Sequence, residues 1–368
     1  MSLPRLSLVA LLIAAGALVA LAAASGPGDG ATGRSLAGAG AAGAGTPPAP
    51  VVVSLDSALL APVYERAAAL PRLRSLLVQQ HGELVAERYY EGATAARPAN
   101  IKSASKTVLA TLVGIALAEG ELRSLDQPLA ELLPVEARAV DSAKRAITLE
   151  DLLTMRAGLQ STSFGGYGRW VSSSNWVRDA LRRPMVDEPG HRGGAMIYST
   201  GTSHLLSAAL TRATGMSTYE YARRKLARPL GIELRPWTAD PQGIYLGGNE
   251  MHLRPRDMAR FGQLFLDGGR APDGTQVVPR AWIDSSWVPR TRSRFNDNEY
   301  GYGWWHRHAG GQPVHFAWGY GGQYVFVVPS LDLVVVTTSV PDAPSRDGDH
   351  RDGIYWMLEE IVRRASGE

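Results

Sequence analysis

Two hydrophobic periods alternate along the chain after residue 50. DSALLAPVYERAAAL carries apolar residues at helical spacing over Ala58 to Leu70, and LRSLLVQQHGELVAERYY then reads as two β runs joined at His81-Gly82. Next, SASKTVLATLVGIALAEGEL predicts an apolar helix from about Ala104 to Glu119, stopped by Gly120 and preceded by polar residues in capping positions. From roughly 125 to 284, helical stretches such as ITLEDLLTMRAGL, GTSHLLSAALTRATG and RPRDMARFGQLFLDGG are separated by Gly- and Pro-marked loops. The last third returns to strands: YGYGWW, then GYGGQYVFVVP and LDLVVVTTS with a turn at Pro329-Ser330, before a closing helix GIYWMLEEIVRRAS. Strands at both ends with helices between them predict an α+β fold, one sheet built from distant parts of the chain and a mainly helical insertion.

Composition changes this picture only at the N-terminus. Residues 1–25 have one basic residue, Arg5, ahead of an apolar run ending in small residues, which predicts a secretory signal or, uncut, a membrane anchor. Either way the folded part, 51–366, is expected outside the cytoplasm. Residues 26–50 are Gly, Ala and Pro with few large side chains, the composition of a disordered tether. With no cysteine the chain forms no disulfide and carries no cysteine-linked lipid, and its net charge of +3 gives no reason to expect nucleic acid as a partner.

Of the 38 basic residues only Lys102, Lys106, Lys144 and Lys225 are lysines, and two of them flank the serines of NIKSASKTVL. Ser103 and Lys106 are one helical turn apart, within reach on one face. A serine hydroxyl is a poor nucleophile until a base takes its proton, and a lysine serves only if burial or a nearby cation lowers its pKa. Arginine, always protonated, cannot replace it. The helix N-terminus adds partial positive charge and free N–H groups suited to an oxyanion. By itself a Ser-x-x-Lys match is equally an N-cap serine followed by a solvated lysine. MIYSTGTSHLLSAALTRATG supplies Tyr198, either a core tyrosine or a proton relay whose pKa neighbouring cations lower. FAWGYGGQYVFVVP offers a glycine-rich strand edge where backbone could line a substrate.

These segments, in this order, resemble the serine β-lactamase and penicillin-binding-protein superfamily, whose signature includes the Ser-x-x-Lys pair. The class C-like branch, with its family VIII esterases and 6-aminohexanoate-dimer hydrolases, is most similar: ITLEDLLTMRAGLQS, DEPGHRGGAMIYST and GGNEMHLRPRDMARFGQLFLDGG each look like one of its segments. The resemblance implies a β-lactamase/transpeptidase-like three-layer fold, with no cofactor. It makes Ser103 the acylated nucleophile, with Lys106 and Tyr198 in proton transfer, and places the oxyanion hole at the N–H groups of Ser103 and Tyr320. Trp318, Gly319 and Gly321 then line the substrate. One departure stands out. Where most β-lactamases have Lys or His, then Ser or Thr, then Gly, this chain has Ala317-Trp318-Gly319, and a buried carboxylate without a cation is costly. His315, two residues earlier, is a register alternative, although strand alternation leaves no simple way to put it in the same place.

The expected activity is therefore hydrolysis of small esters or amides, including linear ω-amino-acid amides or D-amino-acid peptides. The alternatives are a class C-type β-lactamase and a non-catalytic cell-wall peptide-binding protein. Of the remaining polar residues, His306, His308 and His315 form a loose cluster without a completed metal ligand set. Arg256 and Asp257 read as a structural salt link or N-cap, and Tyr167 either borders the site or is merely exposed.

Overall fold

The computed structural model describes residues 52–342 and 348–368. The expected signal or anchor and the tether lie outside the described residues. Helix α1 (Ala61–Ala68) leads into strands β1 (Leu73–Gln80) and β2 (Glu83–Tyr89). Their turn is His81-Gly82, both in the left-handed region at φ 53° and 76°, as a two-residue hairpin loop requires. Short strand β3 (Ala99–Asn100) and helix α2 (Ser105–Ala118) follow, and β4 (His252–Leu253) pairs back onto β3 after the helical region. The C-terminal part supplies β5 (Thr291–Arg292), β6 (Glu299–Tyr300), β7 (Trp305–Ala309), β8 (Gln312–Gly319), β9 (Gln323–Val328) and β10 (Leu333–Ser339), then the helix Gly348–Ala365.

Among the described residues, eight strands form one antiparallel sheet in the order β2-β1-β10-β9-β8-β7-β6-β5, so the first and the last strands of the fold share it. Residues on β9 and β10 alternate between two cores. Tyr324, Phe326, Val328, Leu333 and Val335 face one side, Val325, Val327, Val334 and Val336 the other. This double burial is why QYVFVV and LVVVTTS read as unbroken apolar runs, not as alternating patterns. Helix α1 and the C-terminal helix cover one face; α2 and the helix Pro255–Leu266 cover the other. One sheet built from distant parts of the chain is what the strand and helix pattern implied, and a sheet between two helical layers is what the resemblance implied.

Helix α2 is buried on nearly every side, from Ser105 to Ala116. A helix with no polar face can sit only inside the protein. Its start differs from the sequence expectation: no side chain caps it, and the chain enters through a single 3-10 turn, Lys102–Ala104. The Ser105 hydroxyl donates to the Lys102 carbonyl at 2.6 Å, so Ser105 closes the turn below Ser103 and leaves the helix N-terminus uncapped.

Candidate active site

Backbone strain marks the serine turn. Lys102, immediately before Ser103, sits in the left-handed region at φ 49°, which for a residue with a side chain costs about 1–3 kcal/mol and needs support from its surroundings. Asn100 Oδ1 accepts from the Lys102 N–H at 2.9 Å. The Lys102 ammonium donates to Asp342 at 3.0 Å and to Glu250 at 3.4 Å, while Asn100 Nδ2 holds Glu250 at 2.7 Å. Burial by itself would lower the Lys102 pKa, but the two carboxylates outweigh it and raise it. Lys102 is therefore the charged lysine of the pair.

Lys106 is the opposite case. Its side chain is 4 % exposed, and among the described residues it alone of the four lysines has no carboxylate partner. Burial brings its pKa down to about 7. Nζ has three polar neighbours: the Gly248 carbonyl at 2.7 Å, Thr200 Oγ1 at 3.3 Å and Ser103 Oγ at 3.1 Å. A neutral amine has two N–H donors and one lone pair. Donating to the carbonyl and to Thr200 leaves the lone pair for the Ser103 hydroxyl. The loop Gly247–Glu250 thus touches both lysines, giving its backbone to Lys106 and its carboxylate to Lys102.

Tyr198 arrives from a separate segment whose path is fixed step by step. The Leu149–Leu153 helix begins with a reciprocal cap between Thr148 and Asp151. The same Asp151 carboxylate accepts from the His191 N–H at 2.8 Å and contacts its ring at 2.6 Å, while Arg156 donates to the Gly190 and Gly194 carbonyls. The Ser161 hydroxyl then donates to the Tyr198 carbonyl at 2.7 Å. These contacts explain why the threonine, the arginine and the Pro-Gly loop occur together in the sequence. The Tyr198 ring centroid lies 4.9 Å from Lys106 Nζ, and its side chain lines the same cavity as Ser103, near enough for that serine to act on its ionisation.

The ionisation of Tyr198 differs from the expectation. Neighbouring cations were expected to lower its pKa; burial instead pushes it well above the ordinary phenol value, outweighing the opposing effect of Ser103. Burial is the larger cause, and it acts on both groups, raising the phenol and lowering the Lys106 amine. Tyr198 is accordingly held as the protonated phenol, and Lys106 is the more readily deprotonated amine beside it.

The serine opens into a cavity of about 100 Å³ lined by Ser103, Tyr198, Trp305, Trp318, Tyr320, Phe164, Phe295, Ser293 and Asn296. No charged side chain is among them. Strand β8 reaches this place because Gly319 has no side chain: a Cβ there would lie 2.0 Å from the Ile101 carbonyl. Tyr320 follows directly and lines the cavity, beside the serine turn. Trp318 forms the wall where the resemblance would put a hydroxyl side chain, packed edge-on against Trp305 at 5.5 Å. Gly319 and Gly321 also permit close backbone approach, Gly321 at φ 86° against the Val340 carbonyl, and Gly321 lines an adjoining cavity that shares Phe164, Trp318 and Tyr320 with this one.

Other candidates find structural roles. His315 stacks on Trp287 at 4.3 Å and bonds His306 through the two Nδ1 atoms at 2.8 Å, and neither ring is among the cavity lining. Among the described residues no group of three or more His, Cys, Asp or Glu side chains is placed to hold a metal. Asp257 is fully buried between Arg254 at 2.7 Å and Arg260 at 2.9 Å, whereas Arg256 pairs with Glu87. Tyr167 bonds Asn249 at 3.2 Å and does not line the cavity. Sequence reasoning missed Thr200, Gly248, Trp305, Phe164 and Phe295. Thr200, within the YST triplet, and Gly248, in the Gly-Gly turn that opens GGNEMHLRPRDMARFGQLFLDGG, had a local signal.

A two-layered helical frame around an antiparallel sheet, with a Ser-x-x-Lys turn at the end of a buried helix, defines the β-lactamase and penicillin-binding-protein class of serine hydrolase. The family profile described as Beta-lactamase matches residues 73–355, and the chain belongs to that family. It is 26% identical over 350 residues to the 6-aminohexanoate-dimer hydrolase of Paenarthrobacter ureafaciens, covering 86% of this chain and 85% of that protein. In structure it is similar to a class C beta lactamase from Rhodobacter sphaeroides (TM-score 0.61, 19% identity, 83% of this chain and 98% of that one). It is also similar to a penicillin-binding protein homolog from Caulobacter crescentus (TM-score 0.67, 17% identity, 86% and 100%).

Proposed function

We propose that this chain is an exported hydrolase that cleaves small, uncharged esters or linear amides through an acyl-enzyme on Ser103. The observation that carries this reading is Lys106 Nζ, buried without a carboxylate partner among the described residues and 3.1 Å from Ser103 Oγ; in its neutral form, with its two N–H donors on the Gly248 carbonyl and Thr200, its lone pair turns to that hydroxyl. Lys106 takes the hydroxyl proton as Oγ attacks the carbonyl carbon. The oxyanion rests on the backbone N–H groups of Ser103 and Tyr320. The Tyr198 phenol, beside Ser103 in the cavity and with its ring 4.9 Å from Lys106 Nζ, donates its proton to the leaving oxygen or nitrogen and is reprotonated by the Lys106 ammonium, so no charge is left behind. Water then attacks the acyl-enzyme by the same route in reverse, and the acid departs.

Substrate shape follows from the cavity. The part of the cleft at Ser103 is narrow and aromatic-walled with no charged lining, and it adjoins cavities of about 150 and 660 Å³ that share Phe164, Trp318 and Phe295 with it and carry arginines. The narrow part at the serine favours a narrow chain over a bicyclic β-lactam. The relative named for hydrolysis of a 6-aminohexanoate dimer, a linear amide, supports the same preference. Export rests on the N-terminal apolar segment, which would place the enzyme in the periplasm or medium, cut free or held at the membrane.

A panel of p-nitrophenyl esters, linear amides, D-amino-acid peptides and a chromogenic cephalosporin tests the substrate class. Ester turnover at least about 100-fold faster in kcat/KM than cephalosporin turnover is the expected result. Preferential cephalosporin hydrolysis would make the chain a β-lactamase, and peptide binding without any turnover would make it a binding protein.

A further inference from the structure

The chain has six phenylalanines, and their burial divides them sharply. Phe261, Phe265, Phe316 and Phe326 are in the core at 2 % exposure or less. Phe164 and Phe295 are 74 % and 85 % exposed, and both line the Ser103 cavity. They come from unrelated segments, one in the helical region and one in the turn between β5 and β6. Tyr320, 41 % exposed, is a third aromatic at the same opening. Scattered exposed apolar residues need no explanation, but aromatic side chains converging on one catalytic opening do.

Both phenyl groups stand on fixed backbone. Phe164 is itself left-handed at φ 54°, and Ser163 before it is pinned to the site: its Oγ accepts from the Thr200 N–H at 2.9 Å and lies 3.0 Å from Thr200 Oγ1. On the other side, the Phe295 N–H donates to Ser293 Oγ at 3.1 Å, the Ser293 N–H to the Asn298 carbonyl at 2.9 Å, and the Asn298 N–H to Asn296 Oδ1 at 3.2 Å. A strained bulky residue held in water by its neighbours is a cost without return in the free protein. The return comes when something apolar covers it.

We propose that Phe164 and Phe295 are the two jaws of an acyl-chain subsite, gripping an uncharged hydrocarbon chain attached to the scissile carbonyl. This rests on the acyl-enzyme reading above and names its substrate class. The acyl group is the part of the substrate that stays on Ser103 through both half-reactions, so the wall around Ser103 is the one it must fit. The cavity has no charged lining to hold a polar acyl group, and its aromatic walls, Trp305, Trp318 and the two jaws, bury methylene groups.

The test is a series of p-nitrophenyl esters from acetyl to octanoyl. In the wild type kcat/KM should rise toward hexanoyl by up to about fourfold per methylene, equivalent to ~0.8 kcal/mol for each buried CH₂. In the double variant Phe164→Ala, Phe295→Ala the hexanoyl-to-acetyl ratio, measured within that variant, should fall at least about tenfold, and Phe164→Leu, Phe295→Leu should restore most of it. Fluorophosphonate labelling of Ser103 in each variant reports that the site is assembled. A labelled double variant whose ratio equals that of the wild type, or a wild type without chain-length preference, overturns the subsite alone. A wild type that neither hydrolyses any ester nor takes the probe overturns the acyl-enzyme reading and the subsite with it.

Discussion

Ser103→Ala is expected to abolish fluorophosphonate labelling and to reduce ester turnover by about 10³-fold or more, with the fold intact. Covalent catalysis has no substitute once its nucleophile is gone. Folding should survive because Ser103 is only partly buried and is held by its surroundings more than it holds them. The strained Lys102 is fixed from outside by Asn100, Glu250 and Asp342, and the turn is closed by Ser105. Intact-mass analysis after probe treatment, beside a melting curve, checks both parts. Undiminished turnover in the variant would show that another group carries the chemistry.

The second large effect is at Lys106. Replacing it by methionine keeps the buried stem and removes the base, and kcat should fall by about 10²–10⁴, the usual worth of a positioned general base. KM for a short ester should change little, since Nζ faces the hydroxyl and the Gly248 carbonyl and is not itself part of the cavity lining. A fall in kcat without a matching rise in KM is the signature of an interaction made in the transition state. The serine variant and the lysine variant are then distinguishable: Lys106→Met should still take the fluorophosphonate, slowly, whereas Ser103→Ala should not take it at all. Lys102→Met provides the contrast within the pair, because its charge is matched by carboxylates and contributes no proton.

What the sequence disclosed was mostly local. The turn at His81-Gly82, the apolar run of α2 with its stop at Gly120, and the turn around Pro329 each follow from a few adjacent residues. Strands β5 and β6, two residues each, have no period to detect and exist only because β7 offers them an edge. At the site, Ser103, Lys106 and Tyr198 could be singled out because each stands in a short motif. The Gly248 carbonyl and the Thr200 hydroxyl, which orient the amine, come from 142 and 94 residues away and leave no spacing to recognise. The ionisation of Tyr198 was misjudged for a related reason. A lysine nearby suggests a positive field, but the same burial that brings the two together lowers the amine's pKa to about 7 and makes the phenol hard to ionise. Exposure of Phe164 and Phe295 was equally invisible, since nothing in a phenylalanine's sequence context separates a core ring from a rim ring.

The pH dependence of kcat/KM reports the free enzyme and so reads the state of Lys106 most directly. The amine is active unprotonated, so the rate should fall about tenfold per pH unit below an apparent pKa near 7 and level off above it. His306 and His315, brought down to about 3 and about 4 chiefly by burial, do not titrate in that range, and the raised Tyr198 adds no alkaline limb below pH 9. A single limb near 7 that disappears in Lys106→Met is the expected result. A profile flat from pH 5 to 9, or one whose limb persists in that variant, would contradict a neutral lysine as the base for Ser103.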